Sequence, residues 1–101
     1  MVDTLKQLYK GTLGTGSATL YTVPTLTTAI IKEIVLANKT VTDVATTITF
    51  DGINIVAGKK VPANDSLVIE LHSIIPASAI IAGLAGVATS IDVYVSGIEV
   101  S

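Results

Sequence analysis

Several stretches of the chain alternate between apolar and polar residues, which is the pattern of a β-strand with one buried face. The clearest is residues 44–50, where Val44, Ile48 and Phe50 fall on one face and small or hydroxylated residues fall on the other. Similar alternation predicts strands at residues 17–23, 66–72 and 90–100, and further strands are predicted at 53–56 and 78–84. Residues 28–37 carry large aliphatic side chains on both faces, which predicts a central strand or one covered by a partner. Short strands of this kind, separated by turns, predict seven or eight strands in all.

One turn is predicted in detail, at Asp51-Gly52. Both residue types tolerate a positive φ angle, and strands of β-branched residues flank them on each side. This combination favours a two-residue turn that joins two antiparallel strands. The sequence therefore predicts a β-hairpin that pairs residues 44–50 with residues 53–56.

Composition supports an all-β protein. The chain has 101 residues, which is enough for one domain. Valine, isoleucine and threonine supply more than a third of them, and these residues pack well on a pleated surface. We therefore predict a single small antiparallel β-sandwich of seven or eight strands, either jelly-roll-like or immunoglobulin-like.

The N-terminal sixteen residues are predicted to form a flexible arm before a sandwich domain at residues 17–101. A glycine-rich stretch ends this segment, and its earlier part fits either a helical turn or an irregular edge strand. Three of its apolar side chains are candidates for binding an adjacent subunit: Leu5, Leu8 and Tyr9.

Charge and cysteine content exclude several functions. The net charge is −2 and the six basic residues are scattered lysines, so we expect no nucleic-acid binding. Cysteine is absent, which excludes disulfides and thiol chemistry. Residues 73–91 carry no charged side chain, but they include a proline and are rich in alanine. We interpret this segment as a buried strand with its loops and expect no membrane insertion.

Few residues have the spacing of a catalytic or metal site. The single histidine, His72, follows Glu70 by two residues on one strand face, and we expect this pair to be solvated. The other acidic residues are dispersed, so the sequence predicts no catalytic residue, no metal site and no cofactor. Tyr94 lies on the polar face of its strand and is the one candidate for a glycan contact.

The chain is more hydrophobic than one inner layer of a small sandwich requires. Exposed apolar patches usually mark protein interfaces. Candidate interface residues within the sandwich are Ile31, Val35, Val68 and Leu84, together with either Ile80 or Ile81. They favour self-association or docking on a larger assembly.

Three segments resemble small virion proteins of tailed bacteriophages and prophages. Residues 19–24 read TLYTVP and residues 28–38 read TAIIKEIVLAN, where that family has LYTVPA and TAIVKSIVLCN. Residues 61–71 read VPANDSLVIEL, where the family has IPANSTLVLDL. Residues 91–100 read IDVYVSGIEV, which resembles the family's terminal VNVYVSGVE. The match spans residues 20–100 but departs at Thr25 and in the alanine-rich part of 80–88.

The resemblance implies a non-enzymatic structural protein located in a phage virion, assembled in the cytoplasm of a bacterial host. An accessory or capsid decoration subunit is the first expectation, with a neck, tail or head-fibre component and a host-glycan-binding module as alternatives. The implied partners are major capsid, neck or tail proteins and further copies of the chain in a homo-oligomer. The family motifs contain no catalytic residue.

Overall fold

The computed structural model describes residues 3–101, which form eight β-strands. The strands are β1 (Asp3–Thr12), β2 (Ala18–Thr22), β3 (Thr28–Asn38), β4 (Val44–Phe50), β5 (Ile53–Val61), β6 (Ser66–Ile75), β7 (Ile80–Ala85) and β8 (Ile91–Val100). They build two antiparallel four-stranded sheets in one β-sandwich, which confirms the predicted all-β class.

The strand order identifies the topology as a jelly roll. One sheet has the order β1-β8-β3-β6 and is called the long sheet here, because each of its strands has ten or eleven residues. The other, the short sheet, has the order β2-β7-β4-β5. Every connection except β4 to β5 crosses from one sheet to the other. An immunoglobulin-like sandwich keeps more consecutive strands in the same sheet, so the structure selects the jelly roll from the two predicted folds.

Alternation of side chains determines which face of each strand is buried. Strand β4 is buried at every second residue, as its sequence predicts. Strand β3 changes face once: Ile31 and Ile34 are both fully buried although they are three residues apart. A register shift between Ile31 and Glu33 explains this, because one extra residue in a strand moves the following side chains to the opposite face.

The core between the sheets is aliphatic apart from one ring, Phe50. Its largest fully buried side chains are Leu13, Val23, Ile31, Ile34, Leu36, Val44, Ile48, Val61, Ile75, Ile81, Ile91 and Val95. Members of this set come from both sheets and from the connections after β1 and β2. With no disulfide in the chain, burial of these side chains is the main force that holds the sheets together.

The predicted hairpin is confirmed. Asp51 and Gly52 both have positive φ angles, of 51° and 81°, and Phe50 pairs with Ile53 across the turn. These angles are those of a turn that matches the twist of the flanking strands. Strand β5 continues to Val61, five residues beyond its predicted end.

The prediction of a flexible arm at residues 1–16 is wrong for residues 3–16, the part of that segment that the structure describes. Strand β1 pairs with β8 from Asp3 to Thr12, and Leu13 is buried in the core behind it. The first two residues of the predicted arm lie outside the described residues. The glycines that follow β1 allow the chain to cross to the other sheet, and the cross-strand pairing fixes β1 to its own domain.

The uncharged segment at residues 73–91 forms the end of β6, strand β7 and the connections on either side, as predicted. Within residues 3–101, the structure has no helix of sufficient length and hydrophobicity to cross a membrane.

Candidate docking surface

The outer face of the long sheet carries a row of apolar side chains across all four strands. The pairing registers place Leu5 of β1 beside Ile98 of β8, Ile98 beside Ile30 of β3, and Ile30 beside Ile74 of β6. Leu5 and Ile74 are 82% and 70% exposed, and the two central isoleucines are half-buried. We call these four residues the first apolar row.

A second apolar row crosses the same face nearer the other end of the sheet. Tyr94 of β8 lies beside Val35 of β3, and Val35 lies beside Val68 of β6. Val68 and Tyr94 remain 54% and 44% exposed. Tyr94 and Ile98 are four positions apart on β8, so the two rows are separated by about 13 Å along an extended strand.

Charged residues lie between the two rows. Glu33 of β3 is paired in register with Glu70 of β6. Next to them the amine of Lys32 lies 3.1 Å from Nδ1 of His72, and both of these side chains are exposed. Two carboxylates and two basic groups thus form a polar band that separates two apolar rows.

Beyond the second row, Asp92 on β8 has two hydrogen-bond donors. The hydroxyl of Thr12 donates to its Oδ1 over 2.7 Å and the amine of Lys39 does so over 3.0 Å. These two hydrogen bonds hold the pKa of the Asp92 carboxyl below its ordinary value. Between this carboxylate and Tyr94 is a shallow depression of about 410 Å³, also lined by Lys10 and Val35.

The outer face of the short sheet has a different composition. Its central row joins Thr19 of β2, Ala82 of β7 and Thr49 of β4, and the neighbouring row pairs Thr47 with Leu84. Small and hydroxylated side chains therefore cover the centre of this face, while the edge strand β5 exposes Ile53 and Ile55. Ile80, 40% exposed, and the half-buried Leu84 are its large aliphatic residues on β7.

Two of the residues that were predicted to lie at an interface are buried in the core instead. Leu8 and Ile31 are 8% and 0% exposed, because both point between the sheets and belong to the core. Tyr9 is only partly buried and packs against the edge of the same core. A side chain that fills the interior of its own domain is not accessible to a partner.

The other interface candidates are divided between the two sheets. Leu5, Val35 and Val68 lie on the outer face of the long sheet, where the registers bring them into the two apolar rows. Leu84 lies on the outer face of the short sheet, away from them. Of the two isoleucines left open, Ile80 is exposed and Ile81 is fully buried.

Sequence reasoning missed Ile30, Ile74 and Ile98, which complete the first apolar row. Ile74 was missed because strand β6 was predicted to end two residues before it. Ile30 and Ile31 are adjacent, and alternation alone does not specify which of the two faces outward. Only the register shift that follows them determines it.

The Glu70–His72 pair is exposed, as predicted from their outward positions. The hydrogen-bond partner of His72 is Lys32 of the neighbouring strand, and Glu70 lies in register with another glutamate. Within residues 3–101, no group of three or more histidine, aspartate or glutamate side chains is placed to hold a metal ion.

A polar cluster joins the two sheets at one end of the sandwich. Glu99 of the long sheet accepts a hydrogen bond from the hydroxyl of Tyr21 in the short sheet and pairs with the amine of Lys6 at 3.2 Å. Burial, together with the carboxylate of Glu99, raises the pKa of the Tyr21 hydroxyl. The hydrogen bond from Tyr21 and, secondarily, the contact with Lys6 lower the pKa of Glu99. The role of this cluster is structural, because its hydrogen bond from Tyr21 to Glu99 links the two sheets.

Compared with family models, with curated proteins and with solved structures, the chain matches none of them. Inference about function therefore rests on the geometry of the long sheet and on the resemblance of the sequence motifs.

Proposed function

We propose that this protein is a non-enzymatic structural subunit of a tailed-phage virion, and that it attaches to another virion protein through the outer face of its long sheet. An accessory or capsid decoration role is the form that we favour. The observation that carries the proposal is the pair of apolar rows across that face.

The size of the face supports a docking role. Four strands spaced by about 4.8 Å, each of about ten residues, cover a flat area of roughly 600 Å². A specific protein interface of standard size buries about 800 Å² on each partner. The face is therefore close to the size that one stable contact requires, and the rows place large side chains near its centre as well as at its ends.

The fold and the sequence motifs support the virion part of the proposal. Jelly rolls are common in viral capsid proteins, although the same topology also occurs in lectins and enzymes. The phage-like segments include strands β3 and β8, which are the two central strands of the long sheet. Both central strands contribute a residue to each apolar row.

The mechanism requires only complementary surfaces. Apolar side chains in two rows bind a protein surface that offers matching apolar groups, and the polar band between them opposes a shifted register by leaving charges unpaired. Repetition of the same contact around a particle strengthens attachment through multivalency.

Substitutions in the rows test the proposal. Val35→Thr, Val68→Thr and Ile74→Thr together retain β-branched side chains while removing apolar surface from both rows. We expect binding of the purified protein to particles that lack it to weaken at least tenfold. The matched control is Ile80→Thr with Leu84→Thr on the short sheet, which we expect to bind normally. Equal binding by both variants, or absence of the protein from particles produced by its phage, would overturn the proposal.

A glycan-binding module is the second candidate, and the depression beside Tyr94 favours it. An exposed aromatic ring next to a carboxylate is a common arrangement for contacting a sugar, with stacking on the ring and hydrogen bonds to the acid. The candidate predicts saccharide-dependent NMR shifts at Tyr94 and Asp92 that Tyr94→Ala abolishes. If no host surface glycan causes such shifts, glycan binding is excluded as the function.

A further inference from the structure

Strand β6 is an open edge of the long sheet and differs from the other edges. Proteins usually protect exposed edges with lysine, proline, bulges or short strands. Strand β1 has two lysines and a register shift, β2 has five residues, and β5 has two lysines and a positive φ angle at Gly58. Over its ten residues β6 contains neither lysine nor proline, and in the described chain it pairs only with β3.

The side chains along β6 remain incompletely covered on both faces. Its outward residues Val68 and Ile74 are exposed, and its inward residues Leu67, Ile69 and Leu71 are half-buried. A groove of about 600 Å³ lies between this edge and β5 of the other sheet. At the register shift, Leu71 and His72 of β6 lie opposite the single residue Lys32 of β3. Exposed and less exposed residues nevertheless alternate along β6 from Ser66 to Ile75. An added strand would cover apolar surface on both sides of this edge.

The sequence of β6 is complementary to itself when it is reversed about Leu71. An antiparallel copy in that register places Glu70 opposite His72 of the second copy, twice by symmetry. It also places Val68 opposite Ile74 of the second copy, again twice, and Leu71 opposite itself. A carboxylate facing an imidazole that can hydrogen-bond to it, and apolar side chains that face each other, are directly opposed pairs that stabilise antiparallel strands.

We infer that two copies of this chain associate through antiparallel pairing of their β6 strands, with Leu71 on the two-fold axis. The contact is made by the open edge of β6, so the inference does not depend on the proposed function, although Val68 and Ile74 belong both to this edge and to the apolar rows. The contact is isologous, so it closes at two copies and joins the two long sheets into one of eight strands.

The same register connects the outer faces of the two copies. Because Ile74 lies opposite Val68 of the second copy, the first apolar row of each subunit continues into the second apolar row of the other. The polar bands also meet, since Glu70 of each copy faces His72 of the other, with Glu33 and Lys32 on the adjacent β3 strands. The dimer thus doubles the continuous apolar surface without changing either fold.

A disulfide test exploits the absence of cysteine from the chain. Directly opposed residues in antiparallel strands have Cα atoms about 4.5–5.5 Å apart, which is within the range for a disulfide. We expect Leu71→Cys to form a reducible dimer under mild oxidation, and Ile69→Cys, which faces Ser73 of the second copy, to stay largely uncrosslinked. Equal crosslinking of the two variants, or none in either, would overturn the register.

A charge test distinguishes this contact from other modes of association. Glu70→Lys places two basic groups opposite each other, and His72→Glu places two carboxylates opposite each other. We expect each variant alone to dimerise about tenfold more weakly in sedimentation equilibrium, and an equimolar mixture to form a heterodimer. Glu33→Lys, in the same band but on an interior strand, is the matched control and should retain most of the affinity. A monomeric wild type, or a mixture no tighter than its components, would overturn the inference.

Discussion

The two sheets of this sandwich share one core but have contrasting outer faces. The long sheet exposes isoleucine, valine, leucine and tyrosine in two rows with charged residues between them. The centre of the short sheet exposes mainly threonine and alanine, and its exposed Ile53, Ile55 and Ile80 are not in register with one another. Both faces meet solvent in the isolated subunit, and stability of the fold requires large apolar side chains on neither. This difference is the reason that the proposed docking site lies on the long sheet.

The sheets also differ in how they are assembled. Neighbours in the long sheet come from strands far apart in the chain, and its two central strands, β3 and β8, meet only after most of the sequence has been made. The short sheet contains the β4–β5 hairpin, which is a local contact. The proposed binding face therefore depends on long-range pairing, and changes inside the long sheet should have the larger effects.

The largest effect is expected at Gly97, in the centre of the long sheet. A methyl group there would meet the backbone carbonyl oxygen of Ile30, which cannot move aside, and would lie 2.9 Å from Cδ1 of Leu8. We expect Gly97→Ala to lower the free energy of unfolding by about 3 kcal/mol in urea titrations.

Gly83 of the short sheet is the matched position for that comparison. A methyl group there would meet the ends of flexible side chains, with Cδ1 of Ile48 nearest at 2.8 Å. Gly83→Ala should cost only about 1 kcal/mol because those ends can shift. A loss as large as that of Gly97→Ala would contradict the greater sensitivity of the long sheet.

The next effect concerns the local turn of the short sheet. Gly52 has a φ angle of 81°, which a β-branched residue adopts only with strain. We expect Gly52→Val to lower the free energy of unfolding by about 1–2 kcal/mol. Binding to particles should be unchanged once the protein is folded, since the turn is remote from the long-sheet face. An unaltered melting temperature would argue against the turn as a source of stability.

A smaller effect is expected where the two sheets are joined by Tyr21 and Glu99. Tyr21→Phe removes the hydrogen bond to the carboxylate and should cost about 1 kcal/mol at neutral pH. Because the folded-state pKa of Glu99 lies below its ordinary value of 4.5, this stabilisation is present above the unfolded pKa and is lost as the pH falls through the folded pKa. Urea titrations of both proteins across acidic pH should therefore converge, and a constant difference would contradict this account.

The smallest effect should come from making the short sheet resemble the long one. Thr19→Val with Thr49→Val adds apolar surface to the central row of its outer face. We expect the free energy of unfolding to rise by about 0.5 kcal/mol, with lower solubility in ammonium sulfate. Binding to particles should stay at the wild-type level. A gain in binding equal to the loss caused by the long-sheet substitutions would show that hydrophobicity alone, without the row geometry, accounts for docking.

Sequence reasoning was most successful where the information is local. The Asp51-Gly52 turn and the alternation of β4 depend on residues close together in the chain, and both are confirmed. The predicted flexible arm was wrong because the pairing of β1 with β8 depends on residues eighty or more positions away. For the same reason, two of the interface candidates, Leu8 and Ile31, proved to be core residues.

By itself the sequence determined that this protein is an all-β sandwich with a specific hairpin and with more apolar side chains than one small core accommodates. Those properties follow from residue composition and from a two-residue period, which act over a few neighbouring positions. The tertiary structure decided the jelly-roll order, the register shift in β3, and therefore which isoleucines face outward. Apolar rows across a sheet are formed by residues from four separate strands, so they arise only when long-range pairing brings those strands into register.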